Sequence, residues 1–188
     1  MAQPLPVPPW LSPEDYLAAE LTADVRHEYV GGQVYALAGA SDVHNRLVIN
    51  LTSALDAHLG AGPCQVYATD LKLRTQRQVY YYPDVMVCCD PTDNARYWRE
   101  RPRYVFEVTS PQTRHTDARE KALEYFRLPS LEAYVLVAQD AVAVAVHRRA
   151  GGDYWAVEWL RAADDVLVLP GIEFALPLAR LYRQTGLV

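Results

Sequence analysis

Two apolar runs, VYYYPDVMVCC at residues 79–89 and RYVFEVTS at residues 103–110, each enclose one acid, Asp84 and Glu107. Stretches so rich in Val, Tyr and Phe read as strands, and these are too apolar to form a simple exposed edge. Strand alternation puts Val105, Glu107 and Thr109 on one face of the second run, and Tyr104, Phe106 and Val108 on the other. A buried carboxylate without a partner is costly, so each acid must meet a cation. Two converging carboxylates repel, and a bound divalent ion is a common remedy. Mg²⁺ suits such a pair, because it takes oxygen ligands and keeps waters. Pairing of each acid with one of the chain's arginines is the alternative.

The remaining pattern sets the architecture. Ser12-Pro13 followed by Glu14 and Asp15 is a helix-start signature and predicts a helix over residues 13–20. HEYV and QVYALAG, joined by Gly31-Gly32, predict a β-hairpin. A helix is expected from Asp42 to Leu59, capped by Ser41, with Leu47, Val48, Leu51, Ala54 and Leu55 at helical spacing. The stretch QVYATDLKLR joins the two acid-bearing runs as a further strand. After Pro111 a second helix is expected from Asp117 to about Leu128, stopped by Pro129. LEAYVLVA, AVAVAVHRR and DYWAVEWL follow as strands, the last two forming a hairpin around Gly151-Gly152, and LPLARLYRQ reads as a terminal helix. This order predicts an α/β fold: an α+β mixed sheet flanked by helices, in one domain over residues 1–188, with residues 1–11 as an extended arm.

Composition excludes several classes. With 51% hydrophobic and 22% charged residues the chain resembles an ordinary globular protein, and no apolar run approaches the ~20 residues of a membrane helix. The proline-rich start does not read as a secretion signal, so a cytoplasmic location is expected. Cys64, Cys88 and Cys89 lack metal-ligand spacing and are expected as reduced, buried thiols. A net charge of −5 argues against coating nucleic acid through bulk electrostatics.

The ordered motifs resemble the PD-(D/E)XK nuclease superfamily, the fold of many restriction endonucleases, and more closely the Uma2 family. The resemblance runs from Glu28 in RHEYVGGQV through His44 in SDVHNRL, YPDVMV and FEVTSPQT, to Asp117, Lys121 and Tyr125 and the strand AYVLVAQD. It implies a restriction endonuclease-like core with extra N-terminal and C-terminal hairpins, and a Mg²⁺-dependent endonuclease hydrolysing DNA, with Mn²⁺ able to replace Mg²⁺. Asp84 and Glu107 are the implied metal ligands, with the Val108 carbonyl as a third and Glu28 as an outer acid. The lysine usual two residues after the Glu is absent, because Thr109 stands there. Lys121, projected from the following helix, is the implied replacement, an ammonium that orients the attacking water and offsets phosphate charge. A surface pair with Asp117 is its other reading, and Lys72 is a second candidate.

His44 falls in the first turn of the long helix, either lining the site as a phosphate contact or proton carrier or simply packed. Glu28 is an outer metal acid or a partner for Arg26 or a lysine. Tyr125 holds the site by a hydrogen bond or packs, and Asp117 would position Lys121. ARYWRERPRY offers Arg96, Arg99 and Arg101 among aromatics, a nucleic-acid contact or a solvated loop. A homodimer through Trp155, Val157 and Trp159 is the expected assembly. The competing function is a catalytically inactive module of the same fold that binds nucleic acid or protein.

Overall fold

The computed structural model describes residues 10–111 and 117–188, with the side chains of residues 117 and 118 outside that description. The expected arm at residues 1–11 therefore lies almost wholly outside the described residues. Of it, Leu11 donates its N–H to Gly32 at 3.1 Å, and its carbonyl accepts the Tyr29 hydroxyl at 2.8 Å. Helix α1 (Pro13–Glu20) starts at Ser12, whose hydroxyl accepts the Asp15 N–H at 3.1 Å. Tyr16 leaves this helix to stack on Tyr29 with ring centroids 4.9 Å apart. Strands β1 (His27–Val30) and β2 (Gln33–Ala36) form the expected hairpin. Its turn holds Gly31 and Gly32 at φ 55° and 89°, values that L side chains disfavour.

Helix α2 (Asp42–Leu59) has the bounds that the sequence implies, and Ser41 caps it by accepting the His44 N–H at 3.1 Å. Leu47, Leu51 and Leu55 are fully buried along one face, each contributing about 1.5–3 kcal/mol. They pack on a six-stranded sheet, ordered β11-β10-β9-β8-β6-β3. Its strands are β3 (Gln65–Ala68), β6 (Val85–Cys88), β8 (Pro102–Thr109), β9 (Ala133–Ala138), β10 (Val144–Gly151) and β11 (Tyr154–Leu160). Only β8 and β9 of this sheet run parallel. A second, five-stranded sheet, ordered β2-β1-β5-β4-β7, adds β4 (Lys72–Arg74), β5 (Tyr80–Tyr81) and β7 (Trp98–Arg99).

The larger sheet is covered on both faces. On one, α2 is joined by the hairpin of β12 (Val166–Leu169) and β13 (Phe174–Pro177) and by the short α4 (Leu178–Leu181). On the other, Met86, Val105 and Tyr134 meet Leu73 and Tyr81 of the smaller sheet and the helix that follows β8. That helix begins as a π-helical turn at Asp117–Lys121 and continues as α3 (Ala122–Tyr125). It is thus shorter than the span to Leu128 that the sequence suggests. The terminal helix likewise begins only at Leu178, because Leu176 and Pro177 belong to β13.

Three expectations are corrected. QVYATDLKLR and VYYYPDVMVCC are not single strands: each crosses from one sheet to the other, as β3 to β4 and as β5 to β6. The breaks fall at Thr69, held at φ 52°, and at Pro83, which has no N–H to give a ladder. They are pinned together, since Thr69 N–H donates to the Asp84 carbonyl at 3.1 Å. The third correction concerns the thiols. Cys64 and Cys89 form a disulfide, and Cys88 alone is free and buried. The β3–β6 register, Gln65 opposite Cys88, carries the pair one step further into apposition. No helix among the described residues is long and apolar enough to cross a membrane.

Candidate active site

Asp84 is placed by the break at Pro83. It is the last residue before β6 and turns toward the start of α2. Its Oδ2 accepts the Val108 N–H at 2.7 Å and lies 3.2 Å from His44 Nε2. His44 occupies the first turn of α2 because Ser41 starts the helix there. The same Ser41 hydroxyl donates to the Gln139 carboxamide oxygen at 2.6 Å, tying the helix start to the chain just beyond β9. Neither sequence spacing nor helix capping signals that long-range link.

Glu107 lies near the end of β8 and is 3% exposed. Its Oε1 accepts the Tyr125 hydroxyl at 3.0 Å and lies 3.3 Å from the Lys121 ammonium. Burial, and after it the negative charge of Glu107, pushes the Tyr125 hydroxyl well above its ordinary pKa. It therefore stays protonated and can act only as the donor in this contact. Lys121 also lies 2.9 Å from Glu28 Oε1, which accepts the Tyr82 N–H at 3.3 Å. One ammonium thus bridges acids from β1 and β8, a pairing that offsets the cost of burying all three groups. The Tyr81 ring completes its surroundings, with the Lys121 nitrogen 5.5 Å from the ring centroid.

The two clusters meet in a cleft of about 470 Å³ whose walls include His44, Asp84, Val108 and Lys121. Continuing the β6–β8 register, in which Val85 faces Phe106, brings Asp84 beside Glu107. Tested against a divalent cation, the donor set fits one coordination style and not another. No group of three or more His, Cys, Asp or Glu among the described residues could hold a metal by itself. Asp84 and Glu107 supply oxygen donors of the type that Mg²⁺ takes, and of the two Asp84 lines the cleft.

Other expected site residues fall in different places. Thr109 is buried on the same strand as Glu107, with its carbonyl accepting the Gln139 N–H. Asp117 falls in the π-helical turn, and its side chain lies outside the described residues. Arg99 spends its guanidinium on the Ala95 and Trp98 carbonyls and the Tyr67 hydroxyl and ring. Arg101 pairs with Asp90 at 3.0 Å and donates to Thr92. Arg96 is exposed and lines a smaller pocket that shares Arg26, Asp70 and Tyr82 with the main cleft. Arg26 does not partner Glu28; it sits 3.8 Å from Asp70.

Comparison with known proteins follows the same stretch of chain. The Uma2 family model, described as "Putative restriction endonuclease", matches residues 13–179. The protein slr1290 of Synechocystis sp. is 35% identical over 178 residues, 93% of each chain. A second Synechocystis protein, sll1609, is 31% identical over 149 residues, 77% of this chain and 84% of its own. The crystal structure of "a putative nuclease belonging to DUF820" from Anabaena variabilis superposes with a TM-score of 0.76 at 14% identity, over 93% of this chain and 99% of that one, and so shares the fold. The family match spans Glu28, His44, Asp84, Glu107 and Lys121 alike, and with it the chain belongs to the Uma2 family.

Proposed function

We propose that this protein is a metal-dependent nuclease that hydrolyses DNA phosphodiester bonds, with Asp84, Glu107 and Lys121 as its working residues. The observation that carries this reading is the position of Lys121: its ammonium is 3.3 Å from Glu107 and lines the same cleft as Asp84. A lysine on the helix after β8 thereby stands in for the one that Thr109 replaces.

In this reading Asp84 and Glu107 hold Mg²⁺ or Mn²⁺, with the Val108 carbonyl as a further oxygen donor. The ion would supply Lewis acidity toward the phosphate and a more acidic bound water. Lys121 donates a hydrogen bond to the attacking water and offsets charge developing on the phosphate oxygens. Glu28 and Tyr125 keep that constellation aligned: Glu28 fixes the ammonium, and Tyr125 fixes one oxygen of Glu107. His44, 3.2 Å from Asp84, is suited to carry a proton to or from the leaving oxygen. Pairing of two protomers through the outer strand β11, where Val157 and Trp159 are exposed, would bring two such sites to one duplex. Trp155 takes no part in that surface, because its ring stacks on Phe126 at 4.3 Å.

A second reading, a binding module without catalysis, is favoured by Thr109 and by the engagement of Lys121 with two acids. Purified protein incubated with Mg²⁺ or Mn²⁺ and with single-stranded, duplex and branched DNA separates the two. The nuclease reading expects metal-dependent cleavage that Asp84→Ala abolishes. Intact DNA in every condition, or unchanged cleavage by Asp84→Ala, overturns it.

A further inference from the structure

The smaller pocket that opens off the main cleft, about 180 Å³ in volume, contains a lysine in an unusual setting. Lys72 on β4 is 5% exposed, yet no carboxylate among the described residues forms an ion pair with it. Its ammonium sits 5.2 Å from the centroid of the Tyr82 ring. Burial lowers its pKa; the negative charge of Glu20 opposes that shift, and Arg26, a smaller influence, adds to it. The acids nearby are otherwise engaged. Glu20 accepts the Tyr82 hydroxyl at 2.9 Å and the His27 N–H at 2.9 Å, and Asp70 pairs with Arg26. Across the pocket stand exposed Arg96 and, beneath its guanidinium, the half-exposed Tyr97 ring at 5.5 Å.

A buried ammonium over a ring, with no ion-pair partner among the described residues and Arg96 across the pocket, has room for an anion that would complete it. We propose that this pocket receives a backbone phosphate of the nucleic-acid strand next to the one under attack, with Lys72 and Arg96 as its contacts and Tyr97 as a platform for the adjoining base. The assignment rests on the nuclease reading of the main cleft, with which the pocket shares Arg26, Asp70 and Tyr82. The pocket is too small for an intact nucleotide but ample for a phosphate, and aromatic rings take any base face.

Two measurements without added metal test it on full-length wild-type protein, Lys72→Met and Arg96→Ala. The first is the rise in melting temperature with inorganic phosphate; the second is affinity for a fluorescent single-stranded DNA oligonucleotide at several salt concentrations. Wild type should be stabilised by phosphate and Lys72→Met should not. Oligonucleotide affinity should fall about tenfold in Lys72→Met with a salt slope lower by about one, and by less in Arg96→Ala. Equal phosphate stabilisation of wild type and Lys72→Met, or none in either, overturns the pocket. A phosphate response confined to wild type, combined with equal oligonucleotide affinities, overturns its assignment to a nucleic-acid strand. Because Arg96 is exposed, Arg96→Ala keeps the test valid if Lys72→Met folds poorly: unchanged responses to both ligands would then reject the proposal. Failure of metal-dependent cleavage bears on the main cleft alone, since neither measurement needs turnover.

Discussion

Two buried lysines, Lys121 over the Tyr81 ring and Lys72 over the Tyr82 ring, keep opposite electrical company. Lys121 stands between Glu28 and Glu107, whereas Lys72 rests against the Tyr82 ring with no paired acid. In the first case the cation is balanced from within, so its loss leaves carboxylates stranded. In the second the imbalance is already present, so loss of the cation removes a penalty. Equal burial therefore says little about what a charge does; its partners decide.

The sharpest way to break this contrast is Lys121→Met. It should destabilise the fold by about 3–5 kcal/mol, as expected when one member of a buried ionic cluster is deleted. Urea unfolding measures the loss. If Glu107 and Asp84 hold a divalent ion, millimolar Mg²⁺ should restore part of that stability by linkage, and no recovery would favour the inactive module. A smaller effect is expected from Tyr125→Phe, which removes the donor to Glu107 while keeping the ring. A loss of about 1.5–3 kcal/mol, typical of a hydrogen bond to a charged group, should appear in the same assay.

Lys72→Met should have the smallest effect, leaving stability near neutral pH unchanged or raised by about 1 kcal/mol. Its signature lies in alkaline pH. The folded pKa of Lys72 is lowered, so between that value and the ordinary 10.5 the unfolded chain binds more protons, and folding gains stability as pH rises. The variant loses this gain. Subtracting its stability profile from that of wild type also removes the opposing contribution of tyrosines whose pKa values burial raises. A difference that stays flat as pH rises to the ordinary 10.5 would contradict the lowered pKa of Lys72.

Local chemistry made much of this legible in the sequence. Ser41 and the spacing of Leu47, Leu51 and Leu55 mark α2 at both ends, and Gly31-Gly32 marks a turn that needs positive φ. Asp84 and Glu107 stand out because an acid inside an apolar strand needs a reason. What stayed hidden depends on pairing between distant segments. Thr69 and Pro83 are not strong enough breakers to announce that the chain changes sheets there. The walls around Lys72 come from Glu20 and Leu21 at the end of α1 and from Arg96 and Tyr97, both distant from it in sequence. Arg99 and Arg101 looked available from composition, but their targets at Tyr67 and Asp90 come from the folded loop. The hairpin of β12 and β13 also escaped notice, since its apolar residues mix strand alternation with a helix-like ending.

The bond from Cys64 to Cys89 encloses the stretch that leaves the larger sheet, visits the smaller one and returns. Those 25 steps of chain form a covalent ring with Asp84 near its clasp. Closing a loop of that length restricts the unfolded chain by roughly 3 kcal/mol in the entropic view. The ring also has a mechanical consequence. Breathing at the junction must deform a closed hoop instead of swinging a loose arm, and the Pro83-Asp84 step lies within that hoop.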